Sequence, residues 1–381
     1  MTVILRGITW DHPRGRDSIV ATSQDWCRQH PGVDITWHAR SLQDFADYPL
    51  DRLTAEYDLL VIDHPHVPVA AERHMLARMD GAGHDDALAL LAWQSVGSSH
   101  ASYQVQSHQY GLAIDAAAQV AAYRPDLLPH PPTTWNAVLS LAEDGRVLWP
   151  AKPVDAVSSF LTLAANSGHP AADTPTELVE RAAAREVIGL MHRLAKLVPS
   201  ACLSENPIET AERLSSGDVY AYAPLLYGYT NYSRPGFRQN RLSYINIPQG
   251  RRGVAGSCLG GAGIAVSEGS QTADIARDFA FWAASAEAQT GVYYQAGGQP
   301  GNALAWEDDS TNADCFDFFR NTRRTLEGAW LRPRFTGWLE LQDEAGSLLN
   351  AALRGELPDE DCLDSIDGRY RDLVAPSDPP K

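Results

Sequence analysis

Three apolar runs separated by stretches of helical periodicity occupy the first 62 residues, and no other feature of the chain limits its fold as strongly. Val3–Trp10 reads as a buried strand that stops at Pro13 and Gly15. Residues 17–30 carry Ile19, Trp26 and Cys27 at helical spacing and end at Pro31-Gly32. Residues 33–38 read as a second strand, Leu50–Glu56 as a short helix, and residues 57–62 (YDLLVI) as a third strand closed by Asp63-His64-Pro65. Strands interleaved with helices predict a parallel sheet wound by right-handed crossovers, and hence an α/β fold.

After residues 110–115 (YGLAID) a second lobe is expected. Its signals are a Pro/Thr turn at 129–134, a helix from Trp135, a strand at 147–149 and a helix at 155–166. A long amphipathic helix at 174–197 follows, then residues 209–216, a turn at Gly217-Asp218 and a strand at 219–223. The glycine-rich stretch 250–263 reads as a return crossing, followed by a strand at 264–267 and a helix at 272–286. From Trp306 onward the chain reads as helical, with a frayed tail at 376–381. The division expected is 1–117 for the first part of lobe 1, 118–256 for lobe 2, 257–305 for the return to lobe 1, and 306–381 for a C-terminal helical segment. No internal repeat and no low-complexity segment interrupts this order.

Charge removes whole classes of partner. The chain carries 31 Lys+Arg against 48 Asp+Glu, a formal net charge of −17. Nucleic acids and anionic membranes are gripped through Lys and Arg, so neither is an expected partner. The longest apolar run, residues 87–93, is far short of the roughly 20 residues that span a bilayer, so no membrane insertion is expected. Five scattered cysteines without a CxxC pair point to reduced thiols rather than to disulfides or a zinc site. No metal and no cofactor is expected. The N-terminal residues read as a first strand and not as a secretory signal, which predicts a cytoplasmic protein, or a periplasmic or cell-surface one if a signal was removed.

Four segments are similar to a family of extracellular solute-binding proteins, the sugar-binding type that serves ABC importers. They are YGLAIDAAAQVAAYRPDLL (110–128), ERLSSGDVYAYAPLLYGYTNYSR (212–234), GVAGSCLGGAGIAVS (253–267) and AGGQPGNALAW (296–306). The resemblance implies a two-lobe periplasmic-binding-protein-like fold of type II, with a hinge, an interlobe ligand cleft and a helical C-terminal segment. A small-molecule ligand is the implied partner, joined by an ABC permease if the chain is exported. The sequence departs from the family by placing acid–base residues where sugar binders show a stacking aromatic and neutral polar groups.

The clearest chemical feature is a repeated tripeptide, Asp11-His12-Pro13 and Asp63-His64-Pro65, each following a strand of the first lobe. Ligands of open parallel sheets bind outside the carboxyl ends of the strands, so both tripeptides are expected at one crevice, beside Trp10. A carboxylate next to an imidazole orients it and raises its pKa, which suits a ligand contact or a general base. In the plainer reading the prolines end strands and each Asp caps its loop. All twelve histidines lie at or before His192, so histidine chemistry is confined to the first half of the chain.

A second cluster, Tyr227, Tyr229, Asn231, Tyr232 and Arg234, combines stacking faces with directional donors, and Arg234 is expected to fork a carboxylate. Lys152 stands before a helix whose first turn would favour an anion, or Asp155 merely caps that turn. Asp115 falls at the first expected hinge and Gln299 in a glycine-rich cleft loop. The first reading is therefore a solute-binding protein capturing a small polar organic ligand, a sugar or a sugar acid. The alternative is a cytosolic enzyme on the same scaffold, a dehydratase, isomerase or cyclase, with His12, His64, Asp11 and Asp63 as its acid–base residues.

Overall fold

A computed structural model of the chain describes residues 2–41, 50–81 and 83–375. The expectation for the tail at 376–381 lies outside the described residues. The chain forms two compact units. Unit 1 comprises the chain up to Ala117 together with Tyr229–Arg234 and Leu259–Arg323. Unit 2 comprises Ala118–Gly228, Pro235–Cys258 and the chain from Arg324 onward.

Unit 1 is built on the strand–helix alternation of the N-terminal sequence. Val3–Trp10 and Val33–Arg40 pair in parallel over their full lengths, from Val3 opposite Val33 to Trp10 opposite Arg40. Leu59–Ile62 lies parallel on the other side of Val3–Trp10. Leu259–Val266 then joins antiparallel to Leu59–Ile62, and residues 112–117 of the long strand Leu112–Tyr123 come next. Period-two alternation sends Leu5, Leu59, Val61 and Ile264 into one core with Trp26 and Phe279, and Ile8, Leu60 and Ile62 into another with Leu53, Val67 and Tyr103. Both faces are covered, which is why Leu59–Ile62 reads as an unbroken apolar run. Each such side chain contributes about 1.5–3 kcal/mol of burial.

In unit 2, the Ala118 end of the long strand pairs antiparallel with Tyr222–Tyr227 and with Ser243–Ile245. The helix Pro153–Ser167 is buried continuously from Asp155 to Asn166, the mark of a central helix. The helix Trp338–Leu353 lies along it, and a Cβ on Gly346 would stand 2.5 Å from the Pro153 carbonyl oxygen. Any larger residue there would push the two helices apart.

Several elements differ from expectation. The strand expected at 147–149 is a single bridge from Val147 to Tyr222. The helix expected from residue 174 starts at Arg181, because Glu180 accepts the N–H groups of Ala182 and Ala183 and so fixes the N-terminus there. The strand expected at 219–223 is Tyr222–Tyr227: the buried run is YAPLLY, and Val219 is exposed. The strand expected at 264–267 begins five residues earlier, at Leu259. Its glycines suggest a loop, yet the strand requires them: a Cβ on Gly263 would stand 2.5 Å from the Tyr103 ring, and one on Gly261, whose φ is +115°, would stand 2.4 Å from the Asp115 carbonyl oxygen. Among the described residues, no helix is long and apolar enough to cross a membrane.

Candidate ligand-binding site

The loop that leaves the first strand of unit 1 builds most of the site. Trp10 is buried, Asp11 is exposed, and the Asp11 N–H donates to the Arg40 carbonyl at 2.6 Å. Asp11 gives its carboxylate to Arg16 at 2.6 Å, so it does not orient His12 as the tripeptide suggests. The Arg14 N–H donates to His12 Nδ1 at 3.1 Å, which leaves the proton of the neutral ring on Nε2. His12 meets the Tyr229 ring edge-on, with centroids 5.0 Å apart and planes at 73°.

Beneath Tyr229 lies an ion pair that sequence reasoning misses. The Arg14 guanidinium sits 4.5 Å from the Tyr229 ring centre and forks the Asp115 carboxylate, with Nε to Oδ2 at 2.7 Å and Nη2 to Oδ1 at 2.5 Å. Both partners are almost fully buried. Burial alone would lower the Arg14 pKa, but the attraction and hydrogen bonds of Asp115 reverse this and raise it. Burial pushes the Asp115 carboxyl up, Arg14 pulls it back, and Asp63 adds to the rise. The charge on Asp115 therefore depends on Arg14. The one sequence signal for this pair is a basic residue directly after the first tripeptide, its partner 101 positions away.

The second tripeptide is a 3-10 turn, His64–His66, with Asp63 as its cap. Asp63 Oδ1 accepts the His64 N–H at 2.8 Å and lies 3.0 Å from His64 Nδ1. Both suggestions for this element, a cap and an oriented imidazole, describe it. His64 is only 1% exposed and packs edge-on to Tyr103, while Asp63 keeps a quarter of its side chain in solvent.

Tyr229–Arg234 belongs to unit 1, and its polar groups split into two roles. Arg234 donates to the carbonyls of Tyr294 at 2.6 Å and Gly298 at 2.8 Å, and it lies 4.0 Å from the Tyr294 ring centre. Burial lowers its pKa. Arg234 is thus a clasp on the 294–298 loop and not the carboxylate fork its sequence suggests. Gln299 is equally engaged: its side-chain oxygen accepts the Thr230 N–H at 2.9 Å and its amide donates to the Ala116 carbonyl at 2.8 Å. Asn231 donates to the Gly297 carbonyl at 3.1 Å, but its buried Oδ1 has no partner, nor has the buried hydroxyl of Thr230. Tyr232 is buried.

Of the remaining expected residues, Lys152 and Tyr227 lie in unit 2. Lys152 is half-buried and stands at the N-cap of the Pro153–Ser167 helix. Tyr227 ends its strand opposite Gln119. Asp155, in the first turn of that helix, is not its N-cap; it is buried, and its Oδ2 has no hydrogen-bond partner. Among the described residues no group of three or more His, Cys, Asp or Glu side chains is placed to hold a metal ion.

Two α/β units linked by repeated chain crossings, with a polar and aromatic cluster at the strand ends of unit 1, define a solute-binding class of protein. The chain belongs to the bacterial extracellular solute-binding protein family, whose model it matches over residues 50–314. Among solved structures, it is similar to maltose-bound MalE3 of T. maritima, at 16% identity over 98% of this chain and 100% of that one, with a TM-score of 0.85. A solute-binding protein of Thermotoga lettingae bound with α-D-tagatose covers the same shares at 14% identity and a TM-score of 0.82. One from Agrobacterium radiobacter in complex with ribitol is 19% identical over 97% of this chain and 98% of that one, with a TM-score of 0.79. At such identities the likeness establishes the fold. No curated protein matches the sequence.

Proposed function

We propose that the protein captures a small polyhydroxylated molecule, a sugar or a sugar alcohol, outside the cytoplasmic membrane and delivers it to the permease of an ABC importer. Membership of an extracellular solute-binding family supports the location and the permease. Maltose, tagatose and ribitol in three proteins of the same fold support the ligand class.

The observation that carries this reading is the Tyr229 ring, held edge-on to His12 and seated over the buried Arg14–Asp115 fork. One face of that ring is taken by the Arg14 guanidinium and the residue is only 7% exposed, so a sugar ring would meet the part left open beside His12, where its C–H groups pack and its hydroxyls accept. His12, Tyr229, Asp63 and Asn231 are the proposed contacts of unit 1, with Trp10, Asp11, His64, Asp115 and Tyr232 as their support. Lys152 and Tyr227 are the proposed contacts of unit 2. Arg234 and Gln299 hold loops. The cations of the unit 1 site are already neutralised or engaged, Arg14 by Asp115, Arg16 by Asp11 and Asp17, and Arg234 by carbonyls. Within unit 1 that distribution favours a neutral ligand over a sugar acid, with Lys152 of unit 2 the one proposed contact that carries a positive charge unpaired among the described residues.

The test is thermal unfolding against sugars, sugar alcohols and sugar acids, with each ligand recovered and analysed afterwards. A neutral member that raises the Tm and returns unchanged is the expected outcome. Chemical conversion of that ligand would overturn the proposal.

A further inference from the structure

The first turn of the Pro153–Ser167 helix holds a carboxyl group that the capture of a ligand does not explain. Asp155 is 3% exposed, and its Oδ2 is buried without a hydrogen-bond partner. An ionised carboxylate in that state bears the full cost of desolvation, whereas the neutral acid does not. The charges around it do not rescue the ionised form. Lys152, on the same turn, attracts it but is half-exposed, and Glu209, from the facing helix Pro207–Ser216, repels it. Glu209 is itself fixed in place, because it accepts the Asn206 N–H at 2.7 Å as half of a capping box.

The facing segment shows the same shortage of partners. Glu205 Oε2 and Thr210 Oγ1 are buried without hydrogen bonds. Glu205 pairs with Arg213 at 2.9 Å through its other oxygen. Burial pushes its carboxyl up, Arg213 pulls it down, and Glu209 raises it further. Cys202 on this segment is a buried thiol with its pKa raised, and it stays protonated. From the Trp338–Leu353 helix, Asn350 donates to the carbonyls of Ala151 and Leu203, and the Arg354 guanidinium that follows donates to Leu203 and Ser204. No cation on these elements forms an ion pair with Asp155.

We propose that Asp155 is a proton-binding site within unit 2, carrying its proton up to neutral pH and releasing it beside Lys152 under mildly alkaline conditions. The proton comes from solvent and returns to it, and the net change is one negative charge next to the lysine. Burial, with Lys152 opposing and Glu209 assisting, puts the Asp155 pKa at about 7, which agrees with the geometric argument.

The chain has three lysines, Lys152, Lys196 and Lys381, so 13C-methylated lysine signals resolve Lys152 without ambiguity. In the intact protein the Lys152 signal should titrate with a midpoint near pH 7. That step should vanish in Asp155→Asn and move to lower pH in Glu209→Gln, which removes the repulsion. Thermal unfolding gives a second readout. The wild-type Tm should drop relative to Asp155→Asn as pH rises from 4 to 8, because the unfolded chain loses this proton earlier than the folded one does. A flat Lys152 signal between pH 5 and 9, or a step that persists in Asp155→Asn, would overturn the proposal. Neither readout depends on which ligand the protein binds.

Discussion

Each unit has a buried glutamine at work beside a point where the chain enters or leaves it, Gln119 by position and Gln299 through its bonds to Ala116 and Thr230, and the two glutamines sit in opposite surroundings. In unit 2, Gln119 donates to the Leu225 carbonyl at 3.1 Å and to Ser159 at 3.4 Å, and it accepts from Thr162 at 2.6 Å. Its own carbonyl accepts Ser257 at 2.7 Å, while Thr162 also accepts the Cys258 N–H at 2.9 Å. This network is neutral, and its side-chain polar atoms are satisfied. In unit 1, Gln299 ties Thr230 to Ala116 beside a buried ion pair, and the neighbouring Asn231 Oδ1 and Thr230 hydroxyl lack partners. A satisfied network specifies a fold; a charged one with unmet oxygens is poised for something further. The contrast is between these two networks and not between whole units, since Asp155 Oδ2, Glu205 Oε2 and Thr210 Oγ1 of unit 2 are buried without partners as well.

The comparison breaks most sharply at the ion pair. Arg14→Met should destabilise the protein by about 3–5 kcal/mol in urea unfolding, because it leaves Asp115 buried and uncompensated. The double variant Arg14→Met/Asp115→Leu should recover most of that loss. A single variant with wild-type stability would show the pair to be dispensable. Gln119→Leu in unit 2 should cost less, about 1–3 kcal/mol, the penalty for stranding Thr162 and the Leu225 carbonyl.

The two units also respond to pH in opposite directions. His100 in unit 1 is buried enough to lower its pKa to about 4. The unfolded chain takes up that proton near pH 6.5 and the folded chain does not, so stability falls as pH drops from 6.5 to 4, by about 3 kcal/mol at most. His100→Gln should remove a rise in stability between pH 4 and 6.5, and Asp155→Asn should remove a fall between about pH 4 and 7. The two substitutions should therefore change the slope of stability against pH in opposite senses, and changes in the same sense would contradict the assignment of the two groups.

Much of the fold was legible because burial on both sheet faces leaves unbroken apolar runs. Val3–Trp10 and Leu50–Glu56 match their expected bounds to the residue, and Leu59–Ile62 falls within its run. The strand Leu259–Val266 was hidden because its glycines signal a loop, whereas they are needed for the approach of Tyr103 and of the Asp115 carbonyl. The site was legible by element and not by role. His12, Asp115 and Tyr229 share one cluster, but the partner that joins them, Arg14, lies 101 residues from Asp115, and no local pattern encodes that distance. Arg234 and Gln299 carry the chemistry of ligand contacts, yet backbone carbonyls and an N–H engage them, and those acceptors and donors are invisible in a sequence.

The central claim, that His12 and Tyr229 over the Arg14–Asp115 fork form the ligand-reading surface of unit 1, is tested most directly by calorimetric titration. The neutral sugar or sugar alcohol that most stabilises the wild type would be titrated into His12→Ala and Tyr229→Ala. The account predicts a Kd raised about tenfold in the first, near 1.4 kcal/mol, and by more in the second. Wild-type affinity in both folded variants would contradict it.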